Sequence, residues 1–136
     1  MKKRVSLVLS LVLLVLLVAA AAADSRPLGV AVGYEQALNL GDIDTVATLF
    51  AADAVYVDGI GGPEVGGRDA IHGLLESQYR SFRTVEIVGA SLSGDKLTLI
   101  VDISDHGIAW GRQTLRAAMK DGLIQRLEPI AFRFLF

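Results

Sequence analysis

No cysteine occurs in the 136 residues, which excludes disulfides and a cysteine-linked lipid anchor. An exported domain without such staples must rely on its own core. Histidine is nearly absent too. His72 and His106 are far apart, with no H-x-H or H-E-x-x-H spacing, and this argues against a dedicated metal site. There is no G-x-S-x-G and no readable Ser-His-Asp set. The glycines of Gly59–Gly67 match neither a P-loop nor a dinucleotide fingerprint, so no cofactor is expected. Basic charge is also short. Setting aside Lys2, Lys3 and Arg4 leaves ten basic residues against fifteen acidic ones, a formal charge of −5. With no basic stripe, nucleic acid is not an expected partner.

Apolar length, by contrast, is abundant at the N-terminus. Lys2, Lys3 and Arg4 precede Val5–Val18, which is apolar apart from Ser6 and Ser10. An alanine run follows, and Ala21 and Ala23 form an A-x-A site before Asp24. That order reads as a secretory signal peptide over 1–23. The folded domain is then 24–136, secreted or periplasmic. The alternative is an uncleaved anchor, because the run through Ala23 approaches the ~20 residues that span a bilayer. In that case the domain is membrane-anchored but extracytoplasmic, and touches the membrane only through its leader. The remaining length suits one domain with one core.

Hydrophobic period then orders the chain. Val30, Tyr34, Ala37 and Leu38 repeat at helical spacing, and Asn39-Leu40-Gly41-Asp42 ends that helix. Ile43, Val46, Ala47 and Phe50 mark a second short helix, with Asp42 as its cap. Ala54–Asp58 alternates as a strand, with Ala54, Tyr56 and Asp58 on one face. Gly59–Gly67 reads as a flexible loop, either a lid or a plain connection. Arg68–Phe82 is a third helix, carrying Ile71, Leu74, Leu75, Gln78, Tyr79 and Phe82 along one side. After that the period becomes two. Strands over 84–92, 96–104, 108–119 and 123–136 are separated by tight turns, with a bulge expected at Pro129. Helices followed by a run of strands imply α+β: three N-terminal helices packed on a curved antiparallel β-sheet, closing a cone that admits a small molecule.

The stretch "YEQALNLGDIDTVATLFAADAVYVD", followed by a Gly-rich loop and "GRDAI", resembles the NTF2-like superfamily. Within it the chain looks most like SnoaL-like polyketide cyclases and ketosteroid isomerases. The resemblance covers Tyr34 to about Ile71 by motif and the later hairpins by element order. It implies an NTF2-like cone, a homodimer and a small apolar ligand. It also implies a tyrosine on the first helix as oxyanion donor, here Tyr34, and an aspartate ending the first strand as general base, here Asp58. The ketosteroid isomerase pair is a worked example of such tuning. The family's third element, a protonated acid after a G-R pair, has no counterpart after Gly111-Arg112.

The candidate site therefore rests on Asp58 and Tyr34. A carboxylate would take a proton from carbon beside a carbonyl, and a hydroxyl would face the oxygen where charge develops. Each residue has a plainer alternative: Asp58 as a loop-proximal acid, and Tyr34 as a core tyrosine. Tyr56 and Phe50 are taken as pocket-lining. So are Trp110, Asp102 and Arg112, which on the plainer alternative form a solvated outer sheet face. An aspartate beside an arginine resembles the epoxide hydrolases of the superfamily. The reading is an isomerase, cyclase or dehydratase type enzyme, and its alternative a non-catalytic ligand-binding or dimerisation module. Phe132, Phe134 and Phe136 alternate on one face and ask for cover.

Overall fold

The computed structural model describes residues 26–79 and 82–136. The leader, and the boundary between 1–23 and 24–136, lie outside the described residues. In chain order the elements are α1 (Arg26–Asn39), α2 (Ile43–Thr48), β1 (Phe50–Val57), β2 (Glu64–Gly66), α3 (Arg68–Gln78), β3 (Arg83–Ser93), β4 (Lys96–Asp105), β5 (Ile108–Lys120) and β6 (Leu123–Phe134). The sheet has six strands in the order β2-β1-β6-β5-β4-β3.

Pro27 sits in the first turn of α1, where its missing N–H costs nothing. Ala31, Tyr34, Ala37 and Leu38 are the buried stripe. Gly41, at φ 70°, ends the helix with two backbone bonds, Gly41 N to Leu38 O and Asp42 N to Ala37 O. That pair is the Schellman arrangement, and it needs a residue free to adopt positive φ. Asp42 then caps α2 by accepting from Thr45 N at 3.1 Å and Thr45 Oγ1 at 2.6 Å.

One end of the sheet is β3, an edge with unpaired backbone groups. Side chains of α1 satisfy part of it. Asn39 Nδ2 donates to Val85 O at 2.8 Å, and Val85 N donates to Asn39 Oδ1 at 2.7 Å. One turn earlier, Glu35 Oε2 accepts from Ile87 N at 2.7 Å. The helix thereby stands in for a neighbouring strand and blocks the edge.

Two features differ from the expected sheet. It is mixed, not antiparallel, because β1 runs parallel to β6. Between the second and third helices there are also two strands where one was expected, since β2 follows β1 before α3. The period of Ile43–Phe50 misled at its end: Leu49 caps α2, and Phe50 already begins β1. The Gly59–Gly67 segment is not a loose lid. It closes a β1–β2 hairpin in which Val55–Val57 pairs with Glu64–Gly66, and Asp58 N donates to Pro63 O at 2.9 Å. Later hairpins carry two-residue turns, and His106-Gly107 and Asp121-Gly122 both adopt positive φ as such turns require. The bulge expected near Pro129 falls on Ile130, since Leu115 pairs with Pro129 and Thr114 with Ala131.

The core lies between the helices and the inner sheet face. Phe50, Ile71, Leu75, Leu97 and Val46 are its most completely buried large residues. Leu97, Leu99 and Val101 point inward along β4, and Leu115, Ala117 and Met119 along β5. Among the described residues no helix is long and apolar enough to cross a membrane.

Candidate functional site

A cavity of about 220 Å³ opens where the end of β1, the end of α3 and the inner faces of β4, β5 and β6 meet. Its apolar wall includes Ile103, Leu115, Leu127 and Pro129. Its polar wall is Tyr56, Asp58, Gln78, Tyr79, Arg83 and Gln113. Strand alternation explains Tyr56 and Asp58, which leave β1 on the same side. The turn after Asp58 is tight: a Cβ on Gly62 would lie 1.8 Å from Asp58 O, so only glycine permits this approach. Gln78 Nε2 donates to Asp58 Oδ1 at 2.8 Å. The second carboxylate oxygen has no partner among the described residues.

All three tyrosines of the chain lie at this cavity or just behind it. Tyr34 enters from α1, Tyr56 from β1 and Tyr79 from the C-cap of α3. Burial holds the Tyr34 hydroxyl in its protonated form well above the usual tyrosine range, and the nearby Tyr79 and Tyr56 reinforce this. Tyr34 and Tyr79 border one crevice together, so their hydroxyl-bearing rings are neighbours. Burial raises Tyr79 as well, while the Arg83 charge and the neighbouring Tyr34 hydroxyl pull it back. Tyr56 is raised by burial, then by Tyr79 and Asp58.

Tyr34 does not line the 220 Å³ cavity. It borders two crevices of about 10 Å³ each, deeper in the cone. Such spaces barely admit one water. Phe50 is fully buried and meets Tyr34 edge-on, with ring centroids 6.1 Å apart. It packs behind the site and does not line it.

Asp102 and Arg112 also lie away from the cavity. Because Val101 and Ile103 point inward, Asp102 must point outward, and its cross-strand partner Arg112 does the same. Arg112 holds Asp102 through two bonds of 2.6 and 2.8 Å, and that keeps the Asp102 carboxyl below its usual range. Trp110 was expected on one face with Asp102 and Arg112. A bulge separates them, because Ile103 pairs with Gly111 and Ser104 with Ala109. Trp110 instead lies under Arg83, whose guanidinium carbon is 5.6 Å from the indole, and joins Phe132 and Phe134. It stands just outside the cavity, behind the arginine that lines it.

Arg83, Gln78, Tyr79 and Gln113 were not singled out from sequence. Gln113 carried a readable signal, since it is a polar residue in phase with Leu115, Ala117 and Met119. Arg83 is held by Asp105 through bonds of 2.9 and 3.1 Å, a cross-strand pair that register alone defines. One His/acid grouping occurs among the described residues, on the outside between α2 and α3. His72 Nε2 lies 2.6 Å from Asp44 Oδ1, an inter-helix ion pair, and 3.7 Å from Glu76 Oε1 one turn along its own helix.

The SnoaL-like domain family matches residues 31–127, spanning both helices of the corner, the site and most of the sheet. The chain belongs to this family. No curated protein matches it. Among solved structures, this SnoaL-like domain is similar to a candidate polyketide cyclase from Sinorhizobium meliloti. The identity is 27%, the match covers 74% of this chain and 93% of that one, and the TM-score is 0.66. A candidate ketosteroid isomerase from Kribbella flavida is 17% identical over 77% and 76%, with a TM-score of 0.66. A protein of ketosteroid isomerase-like fold from Catenulispora acidiphila, in complex with trimethylamine, is 22% identical over 74% and 82%, with a TM-score of 0.63. The last two speak for the shared α+β, NTF2-like fold alone.

Proposed function

We propose that this SnoaL-like domain catalyses cofactor-free proton transfer on a small, mostly apolar carbonyl compound, in an isomerisation, cyclisation or dehydration. The observation that carries this is the setting of Asp58. Its carboxylate lines a cavity with apolar walls, one oxygen is fixed by Gln78 at 2.8 Å, and tyrosine hydroxyls occupy the same wall. The free carboxylate oxygen takes a proton from carbon beside the substrate carbonyl. The carbonyl oxygen gains negative charge and accepts a hydrogen bond from a tyrosine. The protonated Asp58 then returns the proton at a second position, so no redox partner is needed. Asp58→Asn tests this. Turnover of an identified substrate should fall by ~10²–10⁴, the usual worth of a general base, and unchanged turnover would reject Asp58 as the base.

A second reading is a binder of a small apolar molecule. It is favoured by the cavity's single carboxylate and by the tight packing deeper in the cone, where the crevices hold about 10 Å³. On that reading Asp58→Asn leaves ligand affinity intact and no turnover is found. In both readings the domain is exported by its leader and forms a homodimer through the sheet face that carries Ile100, which is 37% exposed, and the Asp102–Arg112 pair.

A further inference from the structure

We infer that Tyr79 is the hydroxyl that meets the ligand, and that Tyr34 acts behind it as a positioning residue. The inference rests on the proton-transfer reading and assigns its oxyanion donor. Access decides first. Tyr79 lines the 220 Å³ cavity with Asp58, whereas Tyr34 is absent from that lining and borders two tight crevices deeper in the cone.

Position decides next. Tyr79 lines both the open cavity and the crevice it shares with Tyr34, so Tyr34 backs it from the core side. Arg83, held by Asp105 on the same wall, adds positive charge near the Tyr79 oxygen. Tyr56 is the rival donor. It leaves β1 two residues before Asp58 and on the same face, so its ring lies alongside the base. A donor must instead sit across from the base, since the carbonyl oxygen and the departing proton occupy different ends of the reacting group. Tyr79 comes from α3 and satisfies this.

The backbone supports the pairing. Gln78, the last residue of α3, fixes Asp58, and Tyr79, the next residue, caps the helix by donating its N–H to Leu75 O at 2.9 Å. One helix end thus sets both the base and the donor.

The test uses 4-nitrophenolate, an anionic oxygen on a small apolar ring, titrated by absorbance into the folded protein. Tyr79→Phe should weaken binding ~10-fold or more, as expected for a lost hydrogen bond to a charged oxygen. Tyr34→Phe should weaken it ~3-fold and Tyr56→Phe less. In ¹³Cζ-tyrosine spectra, Tyr34→Phe should move Tyr79 ionisation to higher pH, because the neighbouring hydroxyl that lowers it is gone; a merely structural Tyr34 would leave it in place. The assignment is overturned if the wild type shows no saturable binding, if all variants bind alike, or if Tyr34→Phe alone abolishes binding. Failure of the base reading looks different: Asp58→Asn keeps turnover while the Tyr79 effects persist.

Discussion

Phe50 separates a packed core from a working pocket, and its replacement measures which it serves. The side chain is fully buried at the start of β1, edge-on to Tyr34. Its carbonyl accepts from Arg68 Nε at 3.0 Å and Nη2 at 2.8 Å, so the backbone cannot easily move to fill a hole. Truncating such a ring to alanine costs ~3–5 kcal/mol, of which the aromatic pair contributes ~0.5–1.5. A domain of this size holds only ~5–15 kcal/mol in total. With a urea dependence of roughly 2 kcal/mol per M, the unfolding midpoint should fall by ~1.5–2.5 M. Phe50→Leu keeps most of the volume and should cost no more than ~1.5 kcal/mol. The assay is equilibrium urea unfolding, followed by emission of Trp110, the sole tryptophan, and by far-ultraviolet circular dichroism. Coincident curves establish two-state behaviour. A midpoint shift under ~0.5 M for Phe50→Ala, at unchanged slope, would refute the reasoning and return Phe50 to the cavity wall.

Two further predictions follow from the same geometry. Gly62→Ala places a methyl group against Asp58 O, where 1.8 Å is available, and should shift Asp58 and weaken ligand binding or turnover as well as stability, by ~1–3 kcal/mol. Gly61→Ala meets no neighbour but strains φ 64°, so it should cost ~1 kcal/mol of stability and leave binding unchanged; the reverse order would be incompatible with the turn described. The hydrogen bond that His72 donates to Asp44 raises the His72 pKa above its ordinary value. A raised pKa stabilises fully below the unfolded value of about 6.5 and fades as pH rises through the folded one. Asp44→Asn should therefore lower the urea midpoint more at pH 5.5 than at pH 9, and an equal loss at both would mean the pair is not ionic.

Periodicity carried the fold further than the site. The α1–α2 corner was legible because Gly41 and Asp42 are the residues its termination and capping demand. The three late hairpins were legible because their turns contain Gly94, Gly107 and Gly122. The three-residue strand β2 was not, since its residues are mostly glycine neighbours and its stability comes from pairing with β1. Parallel pairing of β1 with β6 was hidden for a similar reason: the partners are about 70 residues apart, and no local pattern records direction. Asp58 and Tyr56 were readable from strand alternation. Trp110 was not placed correctly, because one bulged residue reverses every face beyond it.

The same distinction bears on the tyrosines. Tyr34 sits inside the motif that carries the family likeness, so sequence draws attention to it. Tyr79 lies at a helix end, and its role depends on where α3 stops, which periodicity places poorly. The predicted helix ran on to Phe82, which would have made Gln78 and Tyr79 two positions along one face. Stopping at Gln78 turns them into a clamp and a cap on the same cavity. A site built this way couples its parts. Any change that lengthens or frays the last turn of α3 displaces the Asp58 anchor and the Tyr79 hydroxyl together. Changes at the buried Leu75, which accepts the capping N–H, should consequently weaken binding at both ends of the cavity, although Leu75 itself touches neither Asp58 nor the ligand space.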